Sequence, residues 1–391
     1  MNNPLVLSEY QITPERGFLG SIEADEISLD SAFAPMLDAA GQLSALITSG
    51  RIRHYLRDLP LIETEAFARD GDEHQVRLAM VHYSFLVQAY VWGEEEAPKS
   101  LPVQLAKPIY DIAKRLDQAP LLPYSGYVLD NYYRLDKSAP LSLENAAMFQ
   151  NFLGGADENW FVLVHVAIEA RAGSALALIP QIFEAIEQAD EGRVERLLGD
   201  MHDIWTDINA IFDRMIERCD PYIYYNRVRP YIHGWKNNPA LGDGLIYEGV
   251  EAYGGKPQAF RGQTGSQSSI VPTMDALYGI RHEDDPLREF LLELHQYRPK
   301  THRRFIEDVG TKSRLRPFIA VSERNSLHEA YKICVEDVAR FRTKHLEYAA
   351  QYINKQSISG PGNDVDVGTG GTPFMRYLKK HRDENRAQSI T

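Results

Sequence analysis

Residues 326–353 read SLHEAYKICVEDVARFRTKHLEYAAQYI and carry the pattern that decides the fold. Their apolar and aromatic side chains recur at alternating three- and four-residue steps, and the series is Tyr331, Cys334, Val338, Phe341, His345, Tyr348 and Tyr352. This spacing predicts an amphipathic helix with one buried stripe. Ser326 and Glu329 form a capping-box signature for its first turn. His345 lies in the middle of the stripe that we expect to be buried.

A second histidine occupies a similar setting on the apolar run that begins at Trp160. Phe161, Val164, His165 and Ile168 share one face of the predicted helix. A buried imidazole without a partner costs about 1–3 kcal/mol, so each histidine needs one. The partner is either a backbone carbonyl, as in an ordinary core histidine, or a metal. Two such histidines on separate helices would suit a flat cofactor between them, and the periodicity leaves both interpretations open.

Helical periodicity recurs in most long segments, whereas β-like stretches such as PYIYY at 221–225 are short. The sequence therefore predicts an all-α protein with irregular connections. The paired glycines in NFLGGADEN, residues 151–159, are typical of a boundary between domains. We expect a smaller N-terminal helical domain over residues 1–153 and a large helical domain over residues 154–391.

The composition limits the partners of the chain. Its 391 residues include 42 basic and 55 acidic side chains, a net charge of −13, and no block of basic residues offers a track for phosphates. Nucleic acid and anionic membranes are therefore not expected partners.

Cys219 and Cys334 match no zinc or redox spacing, which favours a reducing compartment such as the cytoplasm. The apolar run at 161–179 contains three ionisable residues that are costly in a bilayer, so it predicts a buried helix.

Two further segments carry candidate binding groups. DPYIYYNRVRPYIHGW, residues 220–235, combines tyrosines with Arg227 and Arg229, a set suited to an aromatic carboxylate substrate. A surface aromatic cluster with solvated arginines explains it as well. FRGQTGSQSS, residues 260–269, offers N–H and O–H donors for carboxylate or propionate groups, although a plain turn would have the same composition.

Taken together, these stretches resemble the indoleamine 2,3-dioxygenase family of histidine-ligated haem enzymes. The resemblance extends from about Pro102 to the terminal helix. The matching stretches in this sequence are NPALGDGLIYEGV, GSQSS, MDALYGI, FRTKH and GTGGT. It implies a two-domain helical protein that binds haem b, with the large C-terminal domain holding the haem.

Position by position, the resemblance implies roles for individual residues. His345 in FRTKH would be the proximal iron ligand, with Arg342 and Asp275 in a polar network near the haem. On the distal side, the resemblance makes Arg229 the clamp for the substrate carboxylate and His165 a catalytic residue. His165 would accept a hydrogen bond from the indole N–H, steady bound oxygen or exclude N-substituted indoles, and the sequence leaves these roles open. The remaining positions that it assigns to the substrate pocket are Tyr124, Val128, Tyr224, Tyr225, Thr264, Gly265 and Thr369. Of these, Thr264 would also contact the haem, and Thr369 would lie on a mobile loop.

Three of these positions depart from the family pattern. His165 aligns where the mammalian members have serine, and it is similar to the distal histidine of tryptophan 2,3-dioxygenases. Tyr224 and Tyr225 stand where the family commonly has two phenylalanines. These exchanges make the expected pocket more polar and leave the exact indole substrate open.

The resemblance implies cleavage of the indole C2–C3 bond of L-tryptophan with O₂ to give N-formylkynurenine, with an electron donor keeping the haem reduced. One alternative is a specialised relative, similar to the haem enzyme of the pyrrolnitrin pathway, that rearranges a tryptophan derivative. Another is a haem-binding sensor without turnover, in which the substrate clamp Arg229 would have no use.

Overall fold

A computed structural model describes residues 4–282, 286–356, 379, 380, 382–384 and 387, and this part of the chain is predominantly helical. The all-α prediction is thus confirmed. The helices that precede the long central helix are α1 Ala34–Gly41, α2 Leu43–Thr48, α3 Ile52–Arg57, α4 Glu65–Asp70, α5 Glu73–Trp92 and α6 Val103–Leu116.

From the central helix onwards the helices are α7 Ala156–Glu187, α8 Glu191–Asp213, α9 Pro221–Ile223, α10 Ile270–Tyr278, α11 Pro286–His295, α12 Lys300–Lys312, α13 Leu315–Val321 and α14 Asn325–Ala349. The strands are β1 Ser100–Leu101, β2 Tyr132–Arg134, β3 Ala146–Met148 and β4 Ile246–Tyr247. β1 pairs with β4 in parallel, and β2 pairs with β3 in antiparallel orientation. The strands are too short to form a layer of their own.

Two hydrophobic cores meet at α7. The first core joins α1, α5 and α6 to the buried face of residues 232–250, and the second joins α7 to α8, α10, α12 and α14. Val162 and Val166 of α7 belong to the first core, whereas Val164 and Ile168 belong to the second. A helix that is apolar on opposite faces must be enclosed on both.

The enclosure of α7 agrees with the buried helix expected from its sequence. By length and composition α7 could cross a membrane, yet 72% of its most apolar window is buried inside the protein. The helix starts after Gly155, whose φ of 103° is a conformation open to glycine. It therefore begins four residues before Trp160.

Two local expectations differ from the structure. The stretch PYIYY is helical, because Asp220 caps α9 through its side chain and a π-helical turn over Tyr224–Val228 follows. Helix α14 begins at Asn325 without a side-chain cap, so the capping box at Ser326 and Glu329 is not formed. Ser326 instead accepts a hydrogen bond from Arg324 Nε at 3.2 Å.

The N-terminal segment packs directly on the middle of α7. A Cβ at Gly173 would lie 2.4 Å from Gly17 N, 2.6 Å from Pro14 O and 2.8 Å from Thr13 O. These distances are shorter than carbon can approach backbone atoms, so the contact requires glycine. Gly17 itself has a φ of 58°, and a Cβ at this position would lie 2.4 Å from the carbonyl oxygen of Glu169.

Gly173→Ala should therefore lower the free energy of unfolding by about 1–3 kcal/mol, because the backbone of residues 13–17 must move to admit a methyl group. Gly199→Ala in α8 is the matched control, since its Cβ would meet nothing within 4 Å, and it should stabilise by about 0.4–1 kcal/mol. Urea unfolding of both variants measures the difference. Equal effects of the two alanines would contradict the packing described.

Candidate active site

His345 projects from the last turns of α14 into a cavity between α7, α8 and α10. Within the described residues its ring makes no hydrogen bond, and Phe212 packs on its edge with ring centroids 6.4 Å apart. Burial, reinforced by the neighbouring His165, lowers the pKa of His345 to about 4. The imidazole is therefore neutral at physiological pH, which is the form that binds metals.

His165 approaches the same cavity from α7. Its Nδ1 donates to the carbonyl of Phe161 at 2.7 Å, which fixes the ring and leaves Nε2 as an acceptor. Burial lowers the pKa of His165, and the bond to Phe161 only partly offsets this effect. The side chain thus presents a neutral nitrogen lone pair to the cavity.

Gly265 lies between the two imidazoles. A Cβ at this position would be 3.8 Å from His345 Cε1 and 4.0 Å from the Nε2 atoms of both His345 and His165. Because both nitrogens are equally far from that one point, they face the same small volume. A larger residue at position 265 would fill it.

The surrounding cavity has a volume of about 740 Å³, which lies in the usual range for small-molecule and cofactor sites. Among the residues expected from the sequence to form the site, those that line it are Tyr124, His165, Gly265, Asp275, Arg342 and His345. Aromatic and aliphatic side chains of α7, α8 and α14 supply much of the remaining wall.

An ionic network borders the α10 side of the cavity. Arg342 donates to both carboxylate oxygens of Asp275, at 3.1 and 2.6 Å, and His282 Nε2 lies 3.2 Å from the same carboxylate. Burial alone would raise the pKa of Asp275, but Arg342 and His282 outweigh it and hold this pKa well below its usual range. His282 also contacts Glu384 at 2.5 Å, which ties the cavity to the end of the chain.

A network of hydrogen-bonded hydroxyl and carboxyl groups borders the opposite side. The Tyr124 hydroxyl donates to Glu169 Oε1 at 2.9 Å, and its ring packs edge-on against His165 with centroids 6.2 Å apart. Ser268 Oγ donates to the same Glu169 oxygen at 2.8 Å. Burial raises the pKa of Glu169 to about 7, although both hydroxyls lower it.

Phe161 connects this cavity to a second group of expected site residues. Its ring packs on His165 at 4.8 Å and on Tyr224 at 4.7 Å between centroids. Beyond it, the fully buried Arg229 guanidinium lies 5.4 Å from the centroid of the Tyr225 ring. The buried position of this cluster excludes the solvated surface arrangement that the sequence had left open for Arg229.

Three further expected residues have other environments. Val128 is fully buried in the first core, in the π-helical turn Ser125–Leu129. Thr264 precedes Gly265, and its hydroxyl accepts a hydrogen bond from Ser266 N at 3.4 Å, so it shapes the turn. Thr369 lies outside the described residues.

Several residues of this region have no role in the sequence analysis. Glu169 was considered there only as an obstacle to membrane insertion, although its position one turn after His165 places it on the same helix face. Arg298 holds the carbonyls of Ser266 and Ser268 at 2.8 and 3.1 Å. His282 and Arg298 have no local sequence signal that distinguishes them from surface residues.

The residues around the cavity fit a haem. His345 offers a neutral imidazole that has no hydrogen bond to the described part of the chain, and the side chain missing at Gly265 leaves space in front of it. Apolar rings flank this space, and Arg342 provides a cation next to it. These are the donor type, the clearance and the charge that a histidine-ligated, anionic iron porphyrin requires.

The comparisons with known proteins agree with this description. A family model described as indoleamine 2,3-dioxygenase matches residues 6–388. The chain is 33% identical to indoleamine 2,3-dioxygenase 1 of Rattus norvegicus, covering 97% of this chain and 95% of the relative. It is 32% identical to indoleamine 2,3-dioxygenase 2 of Homo sapiens, with the same coverage, and 28% identical to the Saccharomyces cerevisiae protein, covering 98% and 93%.

Arg342→Met should destabilise the protein by about 3 kcal/mol at neutral pH, because it leaves the buried Asp275 carboxylate without its main partner. The loss should shrink as pH falls below 3.8, the ordinary pKa of the carboxyl, because Asp275 contributes through its lowered pKa only while it is ionised. Urea unfolding at several pH values tests this, with Arg340→Met at an exposed position of the same helix as the control. A similar loss in both variants would rule out the role given to the ion pair.

Proposed function

Since the chain belongs to the indoleamine 2,3-dioxygenase family and is therefore a haem-dependent dioxygenase, we propose that its substrate is L-tryptophan or a closely related indole. The reaction would insert both atoms of O₂ across the indole C2–C3 bond and yield N-formylkynurenine. The atoms balance without a further co-reactant, although an electron donor is needed to keep the iron reduced.

One observation carries this proposal: two neutral imidazoles from different helices face the same volume beside Gly265. Of the two, only His165 has a hydrogen bond to the residues that the structure describes, through the carbonyl of Phe161. His345 is therefore the better iron ligand, and His165 is left to face the reactants. A pair of ordinary core histidines would each be expected to have a protein partner.

We assign the haem, of type b, to His345, with Arg342 and Asp275 beside it. When bound, the haem would supply the iron at which O₂ becomes reactive towards the indole. Asp275 would fix the Arg342 guanidinium, and Arg342 would in turn offset the charge of a propionate. Thr264, whose side chain caps the turn that starts at Gly265, would contact the same edge of the cofactor.

The protein would bind and orient the substrate on the His165 side. Arg229, fully buried, would hold the carboxylate of the amino acid, and Tyr124, Val128, Tyr224 and Tyr225 would surround the ring. His165 Nε2 would accept a hydrogen bond from the indole N–H, because Nδ1 already donates to the backbone. Gly265 would leave room for the substrate, and Thr369 would limit the access of water once the substrate is in place.

The division into residues 1–153 and 154–391 stays a prediction, and in our proposal the first unit covers the distal side. Tyr124 supports this view, since it comes from the first unit and lines the cavity next to His165. We also propose a cytoplasmic location without membrane or nucleic-acid partners. Cys219 and Cys334, both buried free thiols, and the net charge of −13 are consistent with it.

A specialised reaction on a tryptophan derivative is the second candidate. It is favoured by the Tyr224 phenol, which interacts electrostatically with Arg229, because its hydroxyl would suit an additional polar group on the ring. The product decides between the two, since N-formylkynurenine and an indole that keeps its ring absorb at different wavelengths.

Reduced, haem-loaded protein in air should accumulate N-formylkynurenine on addition of L-tryptophan, and His345→Ala should lose both the histidine-type haem spectrum and turnover. His54→Ala, at an exposed position, is the matched control and should behave as the unchanged protein. Absorption spectroscopy measures the haem and the product in one cuvette. Retention of the haem spectrum in His345→Ala would exclude His345 as the iron ligand. Failure of the unchanged protein to bind haem would overturn the proposal.

Arg229→Met should raise the KM for L-tryptophan roughly tenfold to hundredfold, because a charge-assisted bond to the carboxylate is lost. Arg227→Met is the control, since Arg227 lies two residues away but is exposed. Indoles that lack the carboxylate should be affected little by either exchange. An unchanged KM in Arg229→Met would mean that a group other than Arg229 binds the substrate carboxylate.

A further inference from the structure

Glu169 is fully buried behind the wall of the cavity and does not itself line it. It lies one turn after His165 on α7. Its Oε1 accepts hydrogen bonds from the hydroxyls of Tyr124 and Ser268, at 2.9 and 2.8 Å. Its Oε2 is buried without a hydrogen-bond partner among the described residues. One carboxyl oxygen therefore joins α7 to two other parts of the chain.

Both partners of Glu169 belong to the segments that shape the distal side. Tyr124 packs its ring against His165. Ser268 ends the short helical turn that starts at Gly265, between the two histidines. The same turn is also held by Arg298, which donates to two of its carbonyls, and by Gln267, whose Oε1 accepts a hydrogen bond from Tyr124 N at 3.0 Å. Glu169 therefore supplies a side-chain tie between this turn, Tyr124 and the helix that carries His165.

The two protonation states of Glu169 hold these partners with different strength. Hydrogen bonds to an ionised carboxylate are roughly twice as strong as those to a neutral acceptor. Burial raises the pKa of Glu169 to about 7, and the bonds from Ser268 and Tyr124 lower it in part. Both states are consequently populated near neutral pH.

The groups around Glu169 keep their own charge over this range. His165 and the buried His302 of α12 have lowered pKa values and stay neutral, and Tyr124 has a pKa well above 10 and stays protonated. Arg298 remains a cation, with a pKa lowered to about 10 by burial. Within the described residues, burial and the two hydroxyls set the pKa of Glu169, and no charged side chain contributes.

We propose that Glu169 is a positioning residue, whose ionisation tightens its hold on Tyr124 and on the turn at Gly265 and thereby strengthens substrate binding. The proton involved stays on the protein, so no bond of the substrate is made or broken in this step. The effect on substrate rests on the proposed function, whereas the titration of the carboxyl does not.

Infrared difference spectroscopy of the full chain, with and without haem, tests the titration directly. As the pH is raised, the carbonyl band of a protonated buried carboxyl should disappear with a midpoint near pH 7. The same band should be missing in Glu169→Gln. Ser268→Ala should raise the midpoint, because the Ser268 hydroxyl lowers the pKa of Glu169. Glu158→Gln is the matched control, and it should leave the band of Glu169 in place. Burial raises the pKa of Glu158 as well, but its partners are the backbone amides of residues 152–154 and not Tyr124 or Ser268. A band that persists in Glu169→Gln, or no such band in the unchanged protein, would overturn the assignment.

The steady-state kinetics of the haem-loaded protein test the positioning role. As pH rises through 7, the KM for L-tryptophan should fall about fivefold, with a smaller change in kcat. In Glu169→Gln the KM should stay near the value that the unchanged protein shows at low pH. The same pH profile in both proteins would overturn the proposal. Absence of turnover on tryptophan with a normal infrared titration would instead count against the proposed function alone.

Discussion

Helix α7 is the constraint on which the remaining structure depends. Its opposite faces belong to two hydrophobic cores, so neither core can be completed without it. Between these faces runs a narrow strip that carries His165 and Glu169, one turn apart. Polar groups on such a strip cannot reach solvent and must be satisfied by what packs against the helix. The site is thus placed where the two halves of the fold are forced to meet.

The two sides of the cavity differ in electrostatic character. On the α10 side, Asp275, Arg342 and His282 form a compact set of charges whose mutual attraction exceeds the cost of burial. On the α7 side, His165 and Tyr124 are neutral, and Glu169 is divided between its two forms at neutral pH. An anionic cofactor edge is compatible with the first side, and an uncharged ring is compatible with the second. This asymmetry gives a bound molecule one preferred orientation.

The sequence predicts those features that depend on local periodicity. Spacing within single helices predicts the helical class, the buried stripe with His345 and the enclosed helix with His165. All three are present in the structure. The pairings of Glu169 with Tyr124 and Ser268 do not, because the partners are far apart in the chain and only the packing of helices brings them together. The start of α14 also differs from the prediction, because the helix begins at Asn325, one residue before Ser326, and has no side-chain cap. The individual roles in catalysis stay predictions, since they concern atoms of the substrate and cofactor.

The close contact between Gly17 and Gly173 has a consequence for the order of folding. The residues on either side of it are distant in sequence, so the segment around Gly17 leaves the ribosome long before α7 exists. That segment cannot make this contact until residues 156–187 have been synthesised and α7 has formed. Chains arrested before that point would therefore lack both the close fit at Gly17 and the helix that carries His165 and Glu169.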